Sequence, residues 1–309
     1  MRRAFLLLLS LALGPGAVLP AAPAVIEGKW TNQASGRVVP FRARVPEGEG
    51  KRPTVLISHG LGGSLDGMEY LGDHWARQGY LVVHLQHPGS DSSIWMGMVL
   101  NREETLKAAT SVEEFTARVR DVRLALERLR AEPALAARHD SGEVAIAGHS
   151  YGARTSMALS GERFPAAPNA DFADPRIRAA IVLSPPPVSG RERFSAIGIP
   201  QFHWTGTRDI TPIEESQDPA LRLAPFREST NPSSYLVVLD GADHMAFSGR
   251  MPGSPARREN YRRWHAQMAE ATTRFLDATL RSDRKAKAWL DGEGLRSLMG
   301  KTDVVERRP

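Results

Sequence analysis

The stretch AIAGHSYGARTSMAL (Ala145–Leu159) sets one serine between two glycines, after small apolar residues and ahead of a helix-like run. Gly148-His149-Ser150-Tyr151-Gly152 fits the pattern G-x-S-x-G, in the strand–turn–helix setting that gives this pattern a chemical meaning. Small neighbours let the backbone turn sharply, so that the serine hydroxyl stands clear at the end of the strand. The same five residues also suit a glycine-rich surface turn. The choice rests on whether the remaining chain supplies what a nucleophilic serine needs.

Outward from this corner, short apolar runs alternate with helical patterns. Residues 37–45, 54–60, 80–87, 143–150, 179–185, 200–207 and 234–243 read as strands, several of them apolar almost throughout. Unbroken apolar strands belong to a sheet covered on both faces. Residues 111–133 carry Phe115, Val119, Val122 and Leu126 at helical spacing, with Ser111 and Glu114 as a capping box and Pro133 as a stop. A last helix is expected over about 258–280. The alternation predicts an α/β fold: a mostly parallel central sheet flanked by helices on both faces.

Serine is a weak nucleophile at neutral pH and needs a base, and the base needs an acid to hold its tautomer. Among nine histidines, His244 follows the last expected strand and comes after both the serine and a candidate acid. That acid is Asp209, in HWTGTRD at the end of the preceding strand. Asp243 competes, but neighbours in a loop rarely meet side chain to side chain, and Asp240 suits the turn DGAD. Acyl transfer also needs donors for an oxyanion. The N–H of Tyr151, just after the serine, is one candidate. The N–H of Leu61, inside HGLGG (residues 59–63), is the other. A phosphate-cradling reading of these glycines fails, because no Gly-Lys-Ser/Thr follows.

The ends of the parallel strands are where such a sheet binds ligands. His59 and His87 fall there and are candidate pocket residues. So are Trp95 and Met96, with Met98, in the loop expected over 86–101; they either wall the pocket or pack the loop onto the body. Residues 210–233, rich in proline, are expected to form a second loop at the rim.

SHGLGG, AGHSYG, TGTRD and GADHMAF, in that order over residues 50–280, resemble the α/β-hydrolase family. Within it the chain is similar to secreted dienelactone-hydrolase-like and platelet-activating-factor-acetylhydrolase-like serine esterases, and to polyester hydrolases. The order Ser150, Asp209, His244 is the one that family uses. Dienelactone hydrolases carry a cysteine nucleophile, whereas this chain has serine and no cysteine. The resemblance implies cleavage of carboxylic esters through an acyl-enzyme, without metal or cofactor, on a small-molecule, lipid or polymer ester. Thioester or amide cleavage by the same three residues is the alternative, and a non-catalytic binding protein on this scaffold is a third.

Whole-chain features frame these readings. With 41% hydrophobic and 24% charged residues among 309, a large core is available. MRR, then an apolar run, then LPAAPA ending near Ala24, reads as an export signal over residues 1–24. The apolar run is broken by Gly14, Pro15 and Gly16, so a stable membrane anchor is not expected. Either the general or the twin-arginine export route fits, toward a periplasmic or extracellular location. Losing Arg2 and Arg3 with the leader lowers the net charge from +5 to +3, and no basic stretch interleaved with aromatics points to nucleic acid. Without cysteine, disulfides, thiol chemistry and thiolate metal sites are excluded. Residues 25–309 are expected to be one domain whose short basic C-terminal tail frays.

Overall fold

The computed structural model describes residues 22–213, 216–231 and 233–308, so most of the expected leader lies outside the described residues. Nine strands form one sheet: β1 (Ala24–Thr31), β2 (Val38–Val45), β3 (Arg52–Ser58), β4 (Leu81–Leu85), β5 (His139–His149), β6 (Ile177–Leu183), β7 (Gln201–Arg208), β8 (Ser234–Asp243) and β9 (Val304–Arg308). Their spatial order is β1-β2-β4-β3-β5-β6-β7-β8-β9. β4 through β8 run parallel, while β1, β2 and β9 are antiparallel additions at the edges. The expected mostly parallel, doubly covered sheet is the architecture found.

The helices are α1 (Glu69–Arg77), α2 (Ile94–Leu100), α3 (Arg102–Ala109), α4 (Val112–Ala131), α5 (Pro133–Ala136), α6 (Tyr151–Leu159), α7 (Arg191–Phe194), α8 (Ala224–Glu228), α9 (Pro255–Leu280), α10 (Arg284–Asp291) and α11 (Glu293–Leu298). Period-two alternation along the strands feeds two cores. Val55, Ile57, Ala145 and Ala147 face the core built with α1 and α9, while Leu56, Val144 and Ile146 face the one built with α4 and α6. Each face buries apolar area worth roughly 25 cal/mol per Å², which fixes the register of every central strand.

Helix ends follow local chemistry. Ser111 accepts from the Glu114 N–H to start α4, and Ser254 caps α9 with Pro255 at its first position.

Three stretches differ from the sequence-based expectation. Residues 86–101 are not all loop, because Ile94–Leu100 coil into α2, and α3 follows under an Asn101 cap. Residues 210–233 contain a 3₁₀ turn (Pro219–Leu223) and α8. The tail does not fray: α10 and α11 pack on α9 and bury Ala286, Leu290 and Leu295, and β9 pairs with β8. Lys and Arg on one face of these short elements masked the apolar residues on the other.

Candidate active site

Ser150 is where β5 ends and α6 begins. Its backbone is at φ 56°, ψ −117°, a strained conformation that few L-residues adopt. Two close approaches hold it there. A Cβ on Gly148 would run into the Gly152 carbonyl, and one on Gly152 into the Ser58 carbonyl at the end of β3. Glycine at both positions is therefore a packing requirement. The Ser150 N–H is bonded to the Leu183 carbonyl at 2.9 Å, tying the corner to β6.

The structure brings the three distant side chains together. His244 Nε2 lies 3.0 Å from Ser150 Oγ, and His244 Nδ1 lies 2.9 Å from Asp209 Oδ1. His244 opens a 3₁₀ turn (His244–Phe247) straight after β8. Asp243 is occupied elsewhere: its carboxylate accepts the Met245 and Ala246 N–H groups and the Tyr261 hydroxyl, and it pairs with Arg257.

Asp209 is fully buried, and every donor around it favours the ionised form. Thr205 Oγ1 donates to Oδ2 at 2.8 Å, Ser184 Oγ donates to Oδ1 at 2.8 Å, and Arg222 Nε lies 3.1 Å from Oδ1. Burial alone would raise this carboxyl. The His244 contact, the Arg222 charge and the Ser184 bond outweigh burial and hold it below the usual carboxylate range. Ser184 also reaches the histidine, its Oγ 2.7 Å from His244 Nδ1. His149 Nε2 donates to the His244 carbonyl at 3.0 Å, fixing that turn, and burial pushes the His149 imidazole down to about 3.

Ser184, Thr205, Arg222 and His149 were not singled out from sequence. Ser184 ends an apolar strand, in AAIVLSP, and a polar residue at the carboxyl end of a parallel strand was the available signal.

One amide candidate follows the serine in the chain, and the other belongs to the loop after β3. Tyr151 is the first residue of α6, where helix geometry leaves N–H groups without a partner inside the helix. Leu61 sits in the loop after β3. That loop is fastened by Gly62 N–H to the Ser90 carbonyl at 2.9 Å, and by Trp95 Nε1–H to the Gly62 carbonyl at 2.8 Å. Gly62 adopts φ +70°, and a Cβ there would press on the Trp95 ring.

A cavity of about 880 Å³ opens over Ser150 and His244. Trp95, Met98, Leu106 and Ile213 supply apolar wall, with Arg102 and Arg250 also lining it. Trp95 thus lines the cavity and also braces the glycine loop. His59 touches it, but both ring nitrogens are engaged: Nδ1 donates to the Gly60 carbonyl and Nε2 accepts from the His87 N–H. Two expectations need correction. His87 lies outside the cavity, fully buried between Ser58 and Asp121. Met96 points to solvent, on the far side of α2 from the cavity wall. Coiling of 94–100 into a helix separates side chains that a loop would have kept together.

Among the described residues no cluster of His, Asp and Glu is arranged to hold a metal ion, and no helix is long and apolar enough to cross a membrane.

A family model described as serine aminopeptidase, S33, matches residues 49–207, which include the Leu61 loop and the Ser150 corner. The chain belongs to the α/β-hydrolase family. This α/β-hydrolase is 25% identical over 195 residues to cutinase 2 of Thermobifida cellulosilytica, a match covering 62% of this chain and 60% of the cutinase. The likeness therefore spans less than two thirds of that relative's length. Its fold is similar to that of a ferulic acid esterase from Streptomyces cinnamoneus, with a TM-score of 0.58 and 17% identity, covering 88% of this chain and 93% of that one.

Proposed function

We propose that this α/β-hydrolase is an exported serine esterase that cleaves carboxylic esters through an acyl-enzyme. The observation that carries the reading is the continuous contact from Ser150 Oγ through His244 to Asp209, at 3.0 and 2.9 Å. As Ser150 Oγ attacks the ester carbonyl carbon, its proton passes to His244 Nε2. Asp209 holds Nδ1–H and stabilises the imidazolium. The Leu61 and Tyr151 amides receive the oxyanion. Collapse breaks the bond to the alcohol oxygen, which takes the proton from Nε2. Water then gives a proton to Nε2 and attacks the acyl carbon, and the acid departs as Ser150 recovers its proton.

The cutinase and the ferulic acid esterase are named for ester substrates, which favours the ester bond over the amide suggested by the aminopeptidase family description. A panel of matched esters, thioesters and anilides separates the bonds. Ser150→Ala is expected to lower turnover of p-nitrophenyl butyrate by about 10⁴- to 10⁶-fold. Undiminished turnover in that variant refutes the reading, and failure of a fluorophosphonate to label Ser150 would favour a binding protein.

A second reading concerns how the ester is presented. Every side chain of α2 (IWMGMVL) is apolar or absent, yet Trp95, Met96, Val99 and Leu100 are 49%, 71%, 82% and 80% exposed. Such a helix beside the cavity favours esters on a lipid or polymer surface. Val99→Asp with Leu100→Asp should weaken adsorption to polyester film while sparing hydrolysis of a dissolved short ester; equal adsorption rules this out.

A further inference from the structure

Behind the Leu61 loop, on the side away from the cavity, lies a closed polar cluster that the proposed chemistry does not use. Its centre is Arg118 of α4, a fully buried arginine. Arg118 Nη2 donates to the His59 carbonyl at 2.5 Å and to Ser58 Oγ at 3.0 Å. Nη1 donates to Ser90 Oγ at 3.0 Å, and Nε donates to Thr155 Oγ1 at 3.2 Å. The guanidinium carbon also stands 4.6 Å from the centre of the Tyr151 ring. One side chain thus grips the strand end leading into Leu61, the segment to which Gly62 is bonded, and the helix that begins at Tyr151.

The charges around it are divided unequally. Asp121 and Glu114 both bond Arg37, at 2.9 Å each. Among the described residues no carboxylate lies within ion-pair distance of Arg118. Asp121 reaches it only through a chain: His87 Nδ1–H donates to Asp121, Ser58 donates to His87 Nε2, and Ser58 Oγ accepts from Arg118. Glu114 reaches it through Ser90, whose hydroxyl donates to Glu114 Oε1 at 3.0 Å. His59 and His87 are kept neutral, first by burial and then by Arg118 itself. Burial costs the guanidinium part of its basicity, lowering it to about 10, yet it stays charged at neutral pH. A buried cation held by neutral oxygens, with no carboxylate in contact, costs stability that its hydrogen bonds only partly offset.

We infer that Arg118 is the positioning residue of the oxyanion site: it locks the Leu61 loop to the start of α6, so that two amides from separate elements converge on one oxygen, and it places a positive charge behind them. The inference rests on the proposed Ser150 chemistry. Lysine keeps the charge but presents one ammonium in place of the planar fork, so it cannot span four acceptors. Glutamine and methionine remove the charge.

The test measures Arg118→Lys, Arg118→Gln and Arg118→Met for kcat and KM on p-nitrophenyl butyrate, for the rate of fluorophosphonate labelling of Ser150, and for Tm. Preorganised donors act on the transition state, so kcat should fall about 10- to 100-fold while KM stays within about threefold. The labelling rate should fall in parallel, and Lys should retain more of both than Gln or Met. A lowered Tm with kcat and labelling unchanged in the folded fraction would assign Arg118 a purely structural role and overturn the inference. Where these variants do not fold, Ser90→Ala removes one acceptor only and should slow labelling about threefold; an unchanged rate overturns the inference equally. If the natural chain labels at Ser150 yet hydrolyses no ester, the esterase reading fails, and the labelling rates still decide the role of Arg118.

Discussion

Ser184 offers a demanding test of how the proposed acid and base, Asp209 and His244, are held. Its hydroxyl donates to Asp209 Oδ1 and accepts from His244 Nδ1–H, so one oxygen braces both groups. Its backbone sits at φ 50°, in the left-handed region. Ser184→Ala removes the hydroxyl and keeps the backbone cost; Ser184→Gly removes both. A hydrogen bond to a buried charge is worth about 1.5–3 kcal/mol. Part of that loss is offset, because a carboxylate with one donor fewer holds the imidazolium more tightly. Thr205 and Arg222 remain on Asp209 as well. A net transition-state loss of about 1 kcal/mol follows, or roughly fivefold in kcat/KM. KM should stay unchanged, since Ser184 does not line the cavity. Glycine should restore about 1 kcal/mol of stability relative to alanine without restoring rate. The assay is p-nitrophenyl butyrate kinetics beside urea unfolding. If both variants keep kcat/KM within twofold of the natural chain, Ser184 does not brace the pair and the reasoning fails.

Asp209→Asn should lower kcat about 10⁴-fold, because the amide favours the wrong His244 tautomer, and steady-state kinetics with an intact Tm checks it. Gly152→Ala drives a Cβ into the Ser58 carbonyl, and should cost about 3 kcal/mol or more and slow fluorophosphonate labelling, read from urea unfolding and labelling rate. Stability should fall as pH drops from 6.5 to 4. His84, His149 and His203 are held by burial at about 3, so the stability they contribute is complete above 6.5 and lost toward their folded values. Asp121, raised to about 6 by burial, acts oppositely, since its contribution is complete below 3.8 and lost as pH rises through 6. These imidazoles, with His59 and His87 held low in the same way, outnumber Asp121, so the urea midpoint should fall from pH 7 to pH 5, and equal midpoints contradict it.

The sequence by itself determined strands β2 to β8, the corner at Ser150 and the trio Ser150, Asp209 and His244, while β1 and β9 emerged only in the fold. Those features rest on local rules: period-two burial, capping chemistry, and glycines where backbones approach. Ser150, Asp209 and His244 were legible because each ends a parallel strand, and parallel strands present their carboxyl ends on one side. Only the tertiary structure decided which way Met96 turns and that His87 is sealed behind the cavity. Only the fold, too, brought Ser184 to the Asp209–His244 pair and Arg118 beneath the Leu61 loop. Those outcomes depend on how residues 94–100 coil and on contacts between groups 25 to 60 positions apart. Such contacts leave no periodic trace in a chain, because a single buried hydroxyl or guanidinium is placed by packing from several elements at once.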